Sequence, residues 1–305
     1  MASATVLGAS GGVYDVELAD GMVAEASLRK RLKLEQRTGD RVVAGDVVEV
    51  DTQPDGSLTI ESVAERSSVL ARRAPGHGRK AKAIVANMDR VVVVFSAAEP
   101  TPNRRLLDRF LVLAEANGLD SVIVLNKVEL VGDDVAAAFL APYETAGYET
   151  LRTSVKTGHN LDELKRLLCG ARSVVAGPSG VGKSSLLNTV QEGLGLRIGD
   201  VSEAAGKGQH TTVTAVLIPL ECGGYVADTP GLRELGLWGV AAEELADCFP
   251  EFRELIPSCR FTRSCSHTHE PGCAVRAGID GGEVDTGRYE SYRTLHEEAA
   301  AAPSW

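Results

Sequence analysis

The sequence predicts a multi-domain α/β protein: an N-terminal β-barrel of oligonucleotide-binding (OB) type, a central doubly wound parallel sheet, and a C-terminal helical segment around a metal cluster. Three observations carry this reading. Short Val/Ile-rich runs separated by Asp-Gly and Gly-Asp turns fill residues 1–72. Continuous apolar runs alternating with amphipathic stretches follow, the pattern of a sheet buried on both faces. Three cysteines and two histidines then crowd between positions 259 and 273. At 305 residues the chain has room for two or three such units, and the reading divides it at 1–72, 73–240 and 241–305.

In the first unit, strands are expected at Val13–Leu18, 22–28, 41–51 and 58–64. Strands this short and evenly spaced make a small closed barrel, and the OB barrel is the commonest at this size. Composition alone leaves open a generic barrel that only packs against its neighbour. The Gly/Lys/Arg-rich stretch 72–82 reads as an exposed linker. In the second unit, 90–97 and 121–125 read as buried parallel strands, with a helix over 106–117 stopped by Asn117-Gly118. Strands at 150–154 and Arg172–Ala176 alternate with helices. From residue 241 the chain turns acidic and helical, ending in a helix over 288–302.

Hydrophobic residues at 44% and charged residues at 24% exclude collagen-like and disordered classes. No run reaches the roughly 18 apolar residues of a membrane span, so no membrane partner is expected. The first ten residues lack the basic and apolar regions of a secretory signal, which makes a cytoplasmic address the expectation. The net charge of −10 argues against nucleic acid as a whole-molecule partner. Local patches set the potential that a phosphate meets, however. Basic side chains cluster at Arg29, Lys30, Arg31 and Lys33, and again at Arg72, Arg73, Arg79, Lys80 and Lys82, so RNA contact is expected in the N-terminal third.

Residues 177–184, Gly177-Pro178-Ser179-Gly180-Val181-Gly182-Lys183-Ser184, fit a phosphate loop between a strand and a helix. Its glycines let backbone N–H groups converge on a phosphate beside a helix N-terminus. Lys183 would reach the β- and γ-phosphates, and Ser184, followed by Ser185, would place a hydroxyl on Mg²⁺. Asp228-Thr229-Pro230-Gly231 follows a hairpin-like pair at 213–220 and 224–227. There Asp228 would hold Mg²⁺ through water and Gly231 would sense the γ-phosphate. Between these motifs lie Thr211 and Thr212, either of which could complete the Mg²⁺ shell, with Thr212 preferred.

Base choice falls to Asn126-Lys127-Val128-Glu129, directly after a strand. A carboxylate there accepts from guanine N1 and N2, the Asn binds the purine edge, and the Lys lies along the ring. Glu129 is one methylene longer than the usual Asp. Ser154-Val155-Lys156 is similar to an element whose backbone contacts guanine O6. These base-reading elements precede the phosphate loop, the reverse of the usual order, so the domain is expected to be circularly permuted. A kinase-type phosphate-loop enzyme fits Asn126-Lys127 and the hairpin before Asp228 poorly. A nucleotide-gated RNA-binding module without turnover stays open.

At this point the chain resembles the RsgA family (also YjeQ or YloQ) of ribosome small subunit-dependent GTPases. The likeness spans the barrel, the permuted domain and the Cys/His segment, with residues 206–213 similar to that family's first switch. The resemblance implies a cytoplasmic GTPase that converts GTP to GDP and phosphate on the immature small (30S) ribosomal subunit and then leaves. Its partners would be the subunit and its rRNA, and the chain is expected to act as a monomer. Cys259-x₅-Cys265-x-His267-x₅-Cys273 supplies a closed Cys₃His set suited to one structural Zn²⁺. The family usually has one residue fewer between the first two cysteines. His269 is a rival to His267, which the Cys-x-His spacing favours, and three reduced cysteines in a small core are the plain alternative. Cys169, Cys222 and Cys248 read as ordinary thiols, Cys222 exposed.

In many GTPases the residue after the DxxG glycine is a glutamine that orients water. Here it is Leu232, which cannot. His210, beside Thr211-Thr212, is the candidate group for that task, with Lys183 as the other catalytic residue. Ser179 stands where K⁺-using relatives carry Asn, which leaves K⁺ dependence open.

Overall fold

The computed structural model describes residues 1–32, 41–72, 82–195, 215–228 and 240–301. Five strands, β1 (Ala2–Ser10), β2 (Val13–Leu18), β3 (Val23–Leu28), β4 (Val47–Thr52) and β5 (Leu58–Val63), close into a barrel in the order β1-β2-β3-β5-β4. The alternation of each strand explains the closure. Val6, Tyr14, Val16, Ala26, Leu28, Val48, Val50 and Ile60 point inward and are buried together. β3 and β5 pair in parallel and the other ladders are antiparallel.

Two expectations need correction here. β1 has no counterpart in the predicted strands, because its small residues and Gly8 mute the Val/Ile signal. Nor does a strand run from residue 41: it begins at Val47, because the chain first turns at Gly45 (φ +89°). A Cβ at Gly45 would lie 2.0 Å from the Ala86 carbonyl oxygen, so only glycine allows that approach. Asp46 secures the turn by accepting from the Val43 N–H (2.8 Å) and from Arg66 (2.7 Å).

The stretch expected as a linker is bounded by paired strands. β6 (Val69–Arg72) and β7 (Lys82–Ala86) form an antiparallel pair, held because Leu70 and Val85 are buried. Residues 73–81 lie outside the described residues.

The central sheet has the order β10-β9-β8-β11-β13-β12. In chain order its elements are β8 (Arg90–Ser96), α1 (Arg104–Ala116), β9 (Asp120–Asn126), α2 (Asp133–Thr145), β10 (Glu149–Arg152), α3 (Leu161–Leu168), β11 (Arg172–Ala176), α4 (Lys183–Val190), β12 (Val216–Pro219) and β13 (Tyr225–Asp228). Only the β12–β13 ladder is antiparallel. Alternate residues of β8 serve two cores. Val91, Val93 and Phe95 pack with α1 and α2, while Val92 and Val94 pack with α3 and α4. The sheet is therefore covered on both faces. The chain works outward from β8 to β10, returns to the centre at β11, and then builds the opposite edge. The crevice at the C-terminal ends of β8 and β11 is thus a topological switch point, where such sheets take ligands.

Short turns, α5 (Pro250–Arg253), α6 (Ala274–Gly281) and α7 (Thr286–Ala301) make the C-terminal unit. Phe249, Phe252, Tyr292 and Leu295 form its centre, with Phe249 and Phe252 stacked at 5.1 Å. The Asp285 carboxylate accepts the Arg288 N–H at 2.9 Å, which starts α7 two residues earlier than its periodicity suggests. Helix α7 packs along α1. At that seam Arg288 is buried between Asp108 of α1 (2.6 Å) and Glu251 of α5 (2.8 and 3.0 Å). Its guanidinium also lies over Phe249, Tyr143 and Tyr148 at 4.7, 5.3 and 5.5 Å. Burial raises the Asp108 carboxyl above its ordinary range despite Arg288. Burial would lower Arg288, but the two carboxylates outweigh it and hold the guanidinium well above its ordinary value.

Candidate nucleotide site and metal centre

Residues 177–182 leave β11 and turn into α4 through left-handed backbone at Gly177 (φ +137°), Gly180 (φ +80°) and Gly182 (φ +93°). Two of these glycines are also forced by crowding. A Cβ at Gly177 would lie 2.1 Å from the Val94 carbonyl oxygen, and one at Gly182 would lie 2.5 Å from Asn126 Nδ2. The loop is therefore pressed against β8 at Val94 and against the end of β9 at Asn126. Lys183 folds back over it, donating to the carbonyls of Gly177 (2.8 Å) and Pro178 (2.6 Å). Ser179 is exposed, Val181 is buried beneath the loop, and the exposed Ser184 and Ser185 open α4.

Asn126, 2% exposed at the end of β9, donates through Nδ2 to the Val181 carbonyl at 2.9 Å. Its Oδ1 accepts from the buried Thr153 hydroxyl at 3.2 Å. Lys127, in left-handed backbone at φ +61°, donates to the Gly180 carbonyl at 2.8 Å and also to that of Glu99. Among the described residues, one buried carboxylate oxygen of Glu129 has no hydrogen-bond partner. An acceptor left unpaired at this position suits a ligand that brings N–H donors. Ser154 is buried and accepts from the Thr157 N–H (3.1 Å), which shapes the turn that displays Val155 and Lys156 at the surface.

The Asp228 backbone ends β13, one residue past Ala227, which pairs with Val174 of β11. It thus shares the sheet edge from which the phosphate loop springs. Lys33, His210, Thr211, Thr212, Gly231 and Leu232 lie outside the described residues. Arg29, Lys30 and Arg31 are exposed where the chain leaves β3, and Arg29 pairs with Glu61 of β5.

The second constellation is closed and buried. Cys259, Cys265, His267 and Cys273 are all buried, with one donor atom from each lying within 4.8 Å of the others. His267 Nδ1 is 3.6 Å from Cys259 Sγ and 3.4 Å from Cys273 Sγ, and those sulfurs are 4.0 Å apart. Ligands of one tetrahedral zinc would be separated by roughly 3.5–3.8 Å, so the donor set fits that ion. Tyr289 and Tyr292 donate to the carbonyls of His267 (2.8 Å) and Ser266 (2.7 Å), anchoring the ligand loop to α7. Burial lowers the His267 imidazole below its ordinary value and pushes the Cys265 thiol up to about 12. His269 is instead exposed and engaged with the Thr268 hydroxyl at 2.9 Å.

The reading of Cys169 and Cys222 as ordinary thiols is wrong. They form a disulfide, because α3 ends where the β12–β13 turn folds back onto it, an encounter 53 residues apart in the chain. Sequence reasoning also missed Thr153 and the buried Asp108–Arg288–Glu251 seam. A serine or threonine before Ser154 carries no distinctive signal, and the seam joins residues up to 180 positions apart.

The family model for the RsgA GTPase matches residues 63–238. The small ribosomal subunit biogenesis GTPase RsgA of Gemmatimonas aurantiaca is 50% identical over 295 residues, 96% of each chain. Its namesake in Moorella thermoacetica is 43% identical over 297 residues, 97% of each. Among solved structures, YjeQ from Thermotoga maritima superposes with a TM-score of 0.81 at 34% identity, covering 99% of both chains. YloQ, described as a circularly permuted GTPase, gives 0.76 at 29% identity, covering 100% of this chain and 97% of its own. With a barrel, a permuted sheet and a Cys₃His segment in the same order, the chain belongs to the RsgA GTPase family.

Proposed function

We propose that this chain hydrolyses GTP to GDP and phosphate as a biogenesis factor of the small ribosomal subunit, binding the subunit and its rRNA in the GTP form and leaving after hydrolysis. The observation that carries the reading is the pair of hydrogen bonds from Asn126 and Lys127 into Val181 and Gly180. They couple base-reading residues to a phosphate loop that follows them in the chain, as a permuted GTPase requires.

In this reading the backbone N–H groups of residues 177–182 cradle the β-phosphate at the α4 N-terminus. Lys183 exchanges its carbonyl partners for phosphate oxygens, so its charge moves onto the transferring group without being desolvated anew. Asn126 and Glu129 read the guanine edge, Lys127 lies along the base, and residues 154–156 meet guanine O6 through the backbone. Ser184, Thr212 and Asp228 would hold Mg²⁺, which supplies charge neutralisation at the β- and γ-phosphates. The Gly231 N–H senses the γ-phosphate. Leu232 cannot orient water, so His210 is assigned that task in the subunit-bound state.

Cys259, Cys265, His267 and Cys273 would hold one Zn²⁺ with no open position, which supplies folding free energy to residues 241–305. Residues 1–72 form the RNA-binding unit, with Arg29, Lys30, Arg31 and Lys33 on phosphate, and residues 73–240 the GTPase. The chain works as a cytoplasmic monomer with no membrane partner. Co-sedimentation of the protein with purified small or large subunits tests this, using GDP or a non-hydrolysable GTP analogue. Selective pelleting with small subunits in the GTP-analogue form is expected. Equal pelleting in both nucleotide forms would remove the switch.

A further inference from the structure

We propose that Cys169 and Cys222 are a reversible thiol–disulfide modification site that ties the β12–β13 hairpin to the base of β11. Cys169 closes α3 three residues before β11, and Cys222 lies in the β12–β13 turn. Their sulfurs are bonded, with the Cα atoms 5.4 Å apart.

The fold brings the two residues together independently of the bond. The Gly170 N–H donates to the Gly223 carbonyl and the Tyr225 N–H to that of Ala171, both at 2.8 Å. Gly224, at φ +83°, makes this close approach possible, since a Cβ there would lie 2.4 Å from the Ala171 oxygen. The cross-link can therefore open and close without refolding its surroundings. Cys222 is exposed and Cys169 half-buried, whereas Cys248 and the three cluster cysteines are buried. A reagent in solution thus meets Cys222 first.

The chemistry needs only a low-molecular-weight disulfide as oxidant. The Cys222 thiolate attacks one of its sulfurs, forming a mixed disulfide and expelling one small thiolate. The Cys169 thiolate then attacks Cys222 Sγ, forms the internal bond and expels the second small thiol. Two protein thiols are oxidised, one small disulfide is reduced to two thiols, and the two protons pass to solvent or to the departing thiolates.

The closed loop encloses β11, the phosphate loop, α4 and β12. It therefore limits how far the hairpin can depart from the strand that feeds residues 177–184. Intracellular disulfides are usually transient and redox-sensing, which fits an exposed pair that the fold holds in register.

The test is non-reducing peptide mapping of the full-length, zinc-loaded protein after treatment with oxidised glutathione and again after dithiothreitol. The expected product is a single Cys169–Cys222 cross-linked peptide that reduction removes, with the cluster cysteines unpaired. Persistent glutathione on Cys222 with no cross-link, or scrambled pairs, would overturn the proposal. As a second reading, oxidation should raise the wild-type melting temperature by roughly 10 °C, from the loop enclosed. That shift should vanish in Cys222→Ser and survive in Cys248→Ser. Loss of the shift in Cys248→Ser with retention in Cys222→Ser would place the redox chemistry elsewhere. None of these outcomes depends on GTP or on ribosomal subunits, so they stand or fall apart from the proposed function.

Discussion

Replacing Arg288 by Met keeps most of the volume of the side chain and removes its charge. Asp108 and Glu251 would then face each other across a buried seam with no cation, having lost contacts at 2.6, 2.8 and 3.0 Å. Removing one partner from a buried ionic group costs about 3–5 kcal/mol, because the remaining charge stays desolvated. The contacts with Phe249, Tyr143 and Tyr148 are lost as well. The loss should also depend on pH in a defined direction. Burial already raises Asp108, and Arg288 is the strongest opposing influence, so the variant raises it further. A carboxyl raised in the folded state destabilises fully above its folded value, and the penalty fades as pH falls toward the ordinary 3.8. The cost of Arg288→Met should thus shrink as pH falls toward 3.8. Urea denaturation followed by far-ultraviolet circular dichroism, with hydrogen exchange on α7, reads both quantities. Adding Asp108→Asn to the variant should recover part of the loss, since only one buried carboxylate then remains. A cost below about 1 kcal/mol that is flat with pH would refute the buried seam.

Cys265→Ser should release zinc and unfold residues 241–305, because metal binding there is folding free energy; metal analysis and hydrogen exchange check it. A variant that kept both its zinc and its melting temperature would show the ligand set to be wrong. Neutralising Arg29, Lys30, Arg31 and Lys33 together should weaken subunit binding and flatten its salt dependence while basal GTPase survives. An unchanged salt slope would put the RNA anchor elsewhere. His210→Ala should bind GTP and the subunit normally but lose roughly 10²–10⁴-fold of the stimulated rate, measured by phosphate release. A near-normal stimulated rate would move the trigger to the ribosome.

Parts of the barrel and much of the central sheet were legible because their signals are local. Val13–Leu18 and Arg172–Ala176 have the observed bounds as read from Val/Ile content, and residues 177–184 follow their strand as the motif demands. The placement of Asn126 and Lys127 at the end of β9 was legible for the same reason. β1 was not, because Ala, Ser and Gly carry little strand signal, and its pairing with β4 depends on residues more than forty positions away. Gly45 gave no warning either, since the Ala86 carbonyl that demands it comes from β7. The disulfide and the Arg288 seam share this character. Each joins groups that only the finished topology brings together, so neither residue type nor spacing announces it.

The most direct measurement is GTP turnover by the purified chain alone, with free rRNA, with large subunits and with small subunits, at matched ionic strength. Slow intrinsic hydrolysis, strongly stimulated by small subunits and not by large subunits or free rRNA, is the expected result. Turnover that small subunits leave unchanged, or that free rRNA stimulates equally, would contradict a GTPase whose trigger is the small ribosomal subunit.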